Sequence, residues 1–202
     1  TSDLAACLTS VHIKYRSFKR NPIESREPME LFIDAKNYKP DGSVFHRTAA
    51  RAILQKGNLY LFVSTKSGEY KFPGGGVEHG ESLEEAVLRE VREETGYLVL
   101  PASLRKCGVV HEKRKGSISD ILEMDSHYFF GVTDPVPGKR QLDSYEAEEE
   151  YQAEWVSLQT ALEQNAKVFC PNARPWILRD TVVIEALLQE NIPPQDSYLS
   201  PE

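Results

Sequence analysis

The 202-residue sequence predicts a single α+β domain in which helices pack on a mixed β-sheet. Two observations lead to this prediction. Short runs of apolar, β-branched and aromatic residues, bounded by turn-forming residues, recur along the chain and are typical of strands. One segment with helical periodicity lies between these runs, and two more follow them. A chain of this length can bury one substantial core but is short for two full domains.

Six runs are predicted to be strands. They span residues 29–35, 48–55, 58–64, 104–112, 124–132 and 154–156. Lys56 and Gly57 separate the second run from the third, which indicates a hairpin. The segment 72–76 contains three consecutive glycines and is predicted to be a loop, because regular elements accommodate glycine poorly. Residues 143–150 are predicted to form an acidic loop.

Three segments are predicted to be helices, at residues 83–95, 158–165 and 176–189. The first is the best specified of the three. Ser82 stands at its N-cap position and Glu85 follows three residues later, which is the pattern of a capping box. Gly96 supplies the left-handed residue that ends the helix. The directions of its side chains can therefore be taken from a helical wheel.

Composition narrows the functional classes. The net charge of −7 disfavours nucleic-acid strands as partners, because these select basic surfaces. No apolar run approaches the roughly 20 residues that span a bilayer, and residues 1–10 do not resemble a signal peptide. Cys7, Cys107 and Cys170 are widely separated, which argues against disulfides and against zinc. We therefore expect a cytoplasmic protein with no membrane association.

The first helix carries a conflict between pattern and chemistry. At roughly 100° per residue, one stripe begins with apolar residues and ends with three carboxylates within about 60° of Glu90. The wheel places Arg89, Arg92 and Glu85 on the opposite side. Burying clustered carboxylates costs several kcal/mol each unless a cation lies among them. The stripe consists of Leu83, Ala86, Val87, Glu90, Glu93 and Glu94.

The donors in this stripe indicate which cation it would hold. All of them are hard carboxylate oxygens, and no histidine or cysteine lies at a matching spacing, so Mg²⁺ or Mn²⁺ is expected. The glycine run at 74–76 precedes the helix, and its backbone can approach a ligand closely. A carbonyl of this run can add a metal contact. Carboxylates beside a glycine turn therefore predict a site for metal-bridged phosphate groups.

The same segment resembles the Nudix box of the MutT-like Nudix hydrolase superfamily. The matching positions are Gly75, Glu81, Arg89-Glu90-Val91, Glu93-Glu94 and Gly96-Tyr97, with Tyr97 at a position that is usually aliphatic. The resemblance implies an α/β/α sandwich with a mixed central sheet. It also implies a Nudix hydrolase domain at residues 28–190, between an N-terminal extension (1–27) that is a solvated strand or partly disordered and a C-terminal tail (191–202).

The resemblance also implies roles for individual residues. Glu90, Glu93 and Glu94 match the metal-binding carboxylates, and Gly74 matches a position whose carbonyl often joins them. Arg89 matches an arginine that orients the acidic cluster, and Glu81 matches a supporting glutamate. Two further expectations come from the residues themselves and not from the resemblance. The backbone at Gly75 and Gly76 is a candidate for substrate binding. The basic residues Lys113 and Arg114 are candidates for binding a terminal phosphate of the substrate, with a soluble turn as the alternative.

One further glutamate is implied by the resemblance. In several Nudix enzymes a glutamate before the late tryptophan strand activates water, and the run 148–150 lies in that region. Glu149 is the candidate base, with a solvated acidic loop as the alternative. The implied reaction is Mg²⁺-dependent hydrolysis of a diphosphate bond in a nucleoside diphosphate linked to another moiety.

The substrate remains open at this level. No proline stands sixteen residues after the box, where Lys113 lies, and no tyrosine follows it, so the markers for ADP-ribose and dinucleoside polyphosphates are missing. Nucleoside triphosphates, ADP-ribose, nucleotide sugars and other phosphorylated metabolites all remain candidates. A catalytically silent Nudix domain that senses a nucleotide metabolite is the alternative function. A homodimer that exchanges the strand at 29–35 or the N-terminal extension is also open.

Overall fold

The computed structural model of the protein describes residues 12–16, 28–169 and 174–190. Predictions for the remainder of the extension 1–27, for the tail 191–202, and for Cys7 and Cys170 lie outside the described residues. None of the helices in the described ranges is long and apolar enough to cross a membrane.

Nine strands form one mixed sheet within the described residues. The sheet has the order β1-β2-β7-β8-β3-β4-β5, with β6 paired to β3 and β9 paired to β4. The pairs β2/β7 and β3/β8 are parallel, and the others are antiparallel. The strands are β1 (His12–Arg16), β2 (Met29–Asp34), β3 (Val44–Lys56), β4 (Leu59–Ser64), β5 (Tyr70–Lys71), β6 (Gly74–Gly76), β7 (Arg105–Lys115), β8 (Ile121–Gly131) and β9 (Gln152–Val156).

Helices cover both faces of this sheet. On one face, α1 packs through Ala86, Val87 and Val91 against Leu54 and Leu61 of the sheet. The other face carries a larger apolar cluster beneath α3 and α4. Because successive strand residues point to opposite faces, β3 supplies Leu54 to the first layer and Ile53 to the second. The helices are α1 (Leu83–Thr95), α2 (Ser144–Glu148), α3 (Leu158–Val168) and α4 (Pro175–Glu190), with a 3₁₀ turn at Pro101–Ser103.

Most predicted elements are present, with boundaries shifted by a few residues. Two predictions of local structure are wrong. The glycine run is the short strand β6, because its backbone pairs antiparallel with Ala49–Arg51 of β3. The acidic segment at 143–150 is not wholly a loop, because Asp143 caps α2 with a capping box to Glu146. The strand β6 depends on pairing with β3, which local propensity does not include, whereas the capping box of α2 is a local pattern that the loop prediction overlooked.

The basic run 113–115 does not form a turn. It forms the end of strand β7, and the turn that joins β7 to β8 lies after it, at residues 116–120. Pairing with β8 therefore continues past the apolar part of the strand. Consecutive residues of the run consequently point to opposite faces of the sheet.

Candidate active site

Helix α1 carries most of the acidic site, and its ends are fixed as expected. Ser82 accepts a hydrogen bond from the Glu85 amide, and the Glu85 side chain accepts one from the Ser82 amide. At the other end, Gly96 adopts φ 78°, a left-handed conformation in which glycine is favoured. Ala86, Val87 and Val91 are buried in the core. This anchoring directs the following acidic turn of the helix towards β6.

Glu94 is the most deeply buried of these carboxylates, with 2% of its surface exposed. Its Oε2 accepts a hydrogen bond from the Gly74 amide at 2.7 Å. The Lys71 ammonium lies 3.6 Å from its Oε1. Burial raises the pKa of Glu94 to about 7, and the lysine and the amide act in the opposite direction. An ionised Glu94 is therefore only partly compensated by the protein.

Glu90 lies one turn before Glu94 and against the glycine strand. Its residue exposure is 9%, and burial raises the pKa of its carboxyl group. A side-chain carbon at Gly75 would overlap the Glu90 carboxylate, so a larger residue at this position would displace that carboxylate. At Gly74 the same substitution would overlap the carbonyl of Ala50, and its φ of 138° further favours glycine.

Arg89 links the acidic residues to one another. Its guanidinium donates two hydrogen bonds to Glu81, at 2.8 and 2.9 Å, and one to Glu90 at 2.9 Å. It also donates to Glu93 at 3.2 Å and to the Gly76 carbonyl at 3.0 Å. These contacts raise the pKa of Arg89 and lower that of Glu81. The wheel prediction that Arg89 faces away from Glu90 is wrong, because the long side chain folds back towards the cluster.

A third carboxylate reaches the cluster from a different element. Glu146 of α2 offers an oxygen that lies within 4.8 Å of carboxylate oxygens of both Glu90 and Glu94. Its Oε2 accepts the capping hydrogen bond from the Asp143 amide at 2.9 Å. Burial raises the pKa of Glu146 as well. The short helix therefore fixes a carboxylate opposite α1.

Lys71 and Tyr151 close the inner side of the cluster. The Lys71 ammonium lies 3.7 Å from the centre of the Tyr151 ring and hydrogen bonds to its hydroxyl. Burial lowers the pKa of Lys71. Tyr151 is also buried, and its pKa is raised by burial first and by nearby carboxylates second. The pair shields Glu94 from bulk water and provides a cation close to it.

The cluster borders a polar cavity of about 470 Å³. Carboxylates of α1 and α2, the glycine strand β6, and arginines from the sheet and from α4 all contribute to its lining. The lining includes Gly74, Gly75, Gly76, Arg89, Glu90, Glu93, Glu94 and Glu146, together with Arg47, Arg51, Arg114 and Arg179.

The structure brings most of the site residues expected from sequence to this cavity, with three exceptions, Glu81, Glu149 and Lys113. Glu149 is not among the lining residues, and its carboxylate pairs instead with Lys66 at 3.2 Å. Lys113 is also outside the lining and pairs with Glu123 at 2.7 Å. Its neighbour Arg114 does line the cavity. Glu81 supports the site through Arg89 without lining the cavity itself.

Some cavity residues escaped sequence reasoning. Glu146 lies in the predicted acidic loop 143–150, but outside the run 148–150 from which Glu149 was chosen as the candidate base. The capping pattern Asp143 to Glu146 would have identified it. Lys71, Arg47 and Arg51 are on strands, and nothing in their local sequence indicates a site.

The fold and the site together define an α/β/α protein with a carboxylate cluster beside a glycine strand. A family model described as the NUDIX domain matches residues 44–179. Because this match covers more than half of the sequence, the chain belongs to the Nudix family. The predictions of a Nudix hydrolase and of its α+β sandwich are confirmed at the level of family and fold.

Individual relatives add detail. A NUDIX hydrolase from Nitrosomonas europaea has a TM-score of 0.54 and 23% identity, covering 78% of this chain and 98% of that chain. An ADP-ribose pyrophosphatase from Methanocaldococcus jannaschii is 43% identical over 60 residues, which are 28% of this chain and only 36% of the relative. A nucleoside triphosphatase, NudI, from Escherichia coli is 28% identical over 116 residues, covering 54% of this chain and 81% of the relative.

Proposed function

We propose that this protein hydrolyses a diphosphate bond in a nucleoside diphosphate linked to another moiety, with Mg²⁺ or Mn²⁺ at the carboxylate cluster. The observation that carries the proposal is the convergence of Glu90, Glu94 and Glu146 within 4.8 Å at one cavity. Two of these carboxylates are on α1 and the third is on α2. Two of the relatives are named for their substrates. The protein from Methanocaldococcus jannaschii is named for ADP-ribose and the one from Escherichia coli for nucleoside triphosphates, which supports this substrate class.

The residues present fit a hard divalent cation. The three carboxylates lie close together, and burial raises the pKa of each, so their joint ionisation is unfavourable without added positive charge. All donors are oxygens, which suits Mg²⁺ or Mn²⁺ better than zinc. Glycine at position 75 leaves room for the Glu90 carboxylate. We assign Glu90 and Glu94 as ligands, with Glu93 and the Gly74 carbonyl as additional donors.

When bound, the metal ion supplies charge stabilisation at the phosphate oxygens and lowers the pKa of water beside it. The residues of the chain hold this site in place. Arg89 fixes Glu90 and Glu93 through its hydrogen bonds, and the Gly74 amide fixes Glu94. The Gly74 carbonyl already accepts a hydrogen bond from Arg51 at 2.7 Å. Its second lone pair leaves one further contact available.

We assign the proton-accepting role to Glu146 in place of Glu149. A general base must lie within hydrogen-bond reach of the water that it deprotonates. Glu146 is beside the cluster, whereas Glu149 pairs with Lys66 outside the cavity lining. Burial raises the pKa of Glu146, which makes its carboxylate a better proton acceptor near neutral pH. The capping hydrogen bond occupies Oε2 and leaves Oε1 for the water.

The proposal is tested by a hydrolysis screen with Mg²⁺. The panel contains nucleoside triphosphates, ADP-ribose, nucleotide sugars and dinucleoside polyphosphates, and products are separated by ion-exchange chromatography. We expect magnesium-dependent cleavage of at least one of these, with loss of cleavage after chelation. A protein that binds members of the panel without cleaving any of them would instead support the sensor function.

A further inference from the structure

Four arginines line the same cavity as the carboxylates. We call Arg47, Arg51, Arg114 and Arg179 the arginine wall. Arg47 and Arg51 come from β3, Arg114 comes from β7, and Arg179 comes from α4. Arg47 of β3 pairs with Met124 of β8, and Met124 pairs with Glu112 of β7. Arg114 lies two residues beyond Glu112 on β7. Its side chain therefore points to the same face of the sheet as that of Arg47. With strands about 4.8 Å apart, β3 and β7 lie about 10 Å apart across β8.

The positive charge of the arginine wall exceeds its local compensation. Arg179 is 2% exposed and pairs with Asp180 at 2.9 Å and Glu112 at 3.3 Å. Arg114 shares Glu112 only at 3.9 Å, and its other contact is the Lys115 carbonyl at 3.3 Å. Among the described residues, the four guanidinium groups of the arginine wall therefore form ion pairs with only two carboxylates, those of Glu112 and Asp180.

Two members of the arginine wall have a buried donor atom without a hydrogen-bond partner among the described residues. Arg51 is 7% exposed and spends its Nη1 on the Gly74 carbonyl, while its buried Nε has no hydrogen-bond partner among the described residues. The Nε of Arg114 is likewise buried without a hydrogen-bond partner there. A buried unpaired donor costs about 1–3 kcal/mol, so the protein holds these two arginines at the cavity against an energetic penalty.

Arg47 has the most freedom to bind a ligand. Among the described residues, its side chain forms no hydrogen bond or ion pair. Its guanidinium packs against the backbone of Gly76, where a methyl group would lie 2.9 Å from Nη2. Arg47 therefore lies beside β6, the strand that also contacts Glu94 through the Gly74 amide. Its positive charge also acts on Arg114, whose pKa is lowered by burial first and by Arg179 and Arg47 in addition.

We propose that the arginine wall binds a phosphate group of the substrate that is additional to the diphosphate held at the metal site. This inference rests on the proposed function and specifies its substrate class. Guanidinium groups bind phosphate through paired hydrogen bonds, and several of them compensate a multiply charged group better than a ribose hydroxyl would. A nucleoside triphosphate, or a diphosphate-linked nucleotide with a further phosphate ester, fits this wall. ADP-ribose, which has only its diphosphate, leaves these donors unpaired.

Inorganic phosphate is the probe for the test, and it is titrated into metal-free protein in buffer passed over chelating resin. Binding is followed by isothermal titration calorimetry or by ³¹P line broadening. The parent should show saturable binding, and Arg47→Gln and Arg114→Gln should each weaken it by about tenfold to a hundredfold, as expected for the loss of one charge-assisted contact. The matched control is Lys113→Gln, because Lys113 neighbours Arg114 but points to the other face and pairs with Glu123.

The outcomes separate the inference from the proposed function, since neither metal nor hydrolysis is involved. Equal phosphate affinity in the parent and in Arg47→Gln would overturn the assignment, and so would an equal loss in Lys113→Gln, which would indicate a general charge effect. The absence of saturable binding by the parent would also overturn it. Arg47 is exposed, so Arg47→Gln provides a folded variant even if Arg114→Gln is unstable.

Discussion

Replacing Glu94 by glutamine isolates the charge of the most buried carboxylate. The glutamine side chain has nearly the same shape, and its carbonyl oxygen can still accept the 2.7 Å hydrogen bond from the Gly74 amide. The fold of α1 and β6 should therefore persist. What changes is the negative charge that we assign to metal binding. We expect the variant to fold and to lose its response to Mg²⁺.

The magnitude follows from ligand linkage. At a Mg²⁺ concentration about 100 times the dissociation constant, the parent gains about 2.7 kcal/mol of stability. For a domain of this size, this gain raises Tm by about 5–11 °C. Loss of one charged ligand weakens binding by about 100-fold if it contributes about 2.7 kcal/mol. The variant would then gain only about 0.4 kcal/mol at the same concentration, or about 1–2 °C.

The assay is thermal unfolding, followed by circular dichroism, with and without MgCl₂. Glu149→Gln is the matched control, because Glu149 is also acidic but pairs with Lys66 and does not line the cavity. It should retain the shift of the parent. If Glu94→Gln unfolds cooperatively and gains as much from Mg²⁺ as the parent does, Glu94 is not a ligand and the proposed site is refuted.

Three further predictions concern the site and its support. Gly75→Ala places a methyl group on the Glu90 carboxylate and should lower turnover by about 100-fold. Its control, Gly80→Ala, has φ 82° and open space around it, so it should cost about 1–2 kcal/mol of stability and leave turnover intact. Equal turnover in the two variants would contradict the role of β6. Glu146→Gln should reduce kcat by about 10²- to 10⁴-fold while keeping the Mg²⁺-induced rise in Tm, and loss of that rise would make Glu146 a ligand and not the base. Arg179→Met removes the partner of two buried carboxylates and should lower the free energy of unfolding in urea by about 3–5 kcal/mol; a change below about 1 kcal/mol would show that the pairs contribute little.

The glycine strand shows where reasoning from residue types falls short. Three consecutive glycines predict a loop, since glycine loses much conformational entropy in a strand. In the structure, β3 pairs with these residues, and two of them lie where a Cβ would collide with backbone or with Glu90. Close packing therefore favours glycine at both positions, most strictly at Gly74, where the obstacle is backbone. The three glycines indicated an unusual backbone segment, but they did not indicate that this segment forms a strand.

The base candidate shows a second limit. The acidic segment 143–150 was identified from sequence, and the resemblance directed attention to Glu149 in the run 148–150. Which carboxylate of the segment reaches the cavity depends on the capping box of α2, which orients Glu146, and on how α2 is placed relative to Glu90 and Glu94. Glu146 lies within α2, whereas Glu149 is the C-cap residue three positions later, and only the Glu146 carboxylate reaches the cluster. Side-chain direction in so short a helix is set by its tertiary neighbours.

The sequence by itself determined the capped helix α1, its acidic stripe and the family of the chain. These features depend on spacings within one segment, which are the same in any context that allows a helix to form. Only the tertiary structure decided that Glu146 joins Glu90 and Glu94, and that Arg47 and Arg114 line the same cavity. Those groups come from strands and helices far apart in the chain. Their meeting depends on strand order and register, which the pattern of any single segment does not specify.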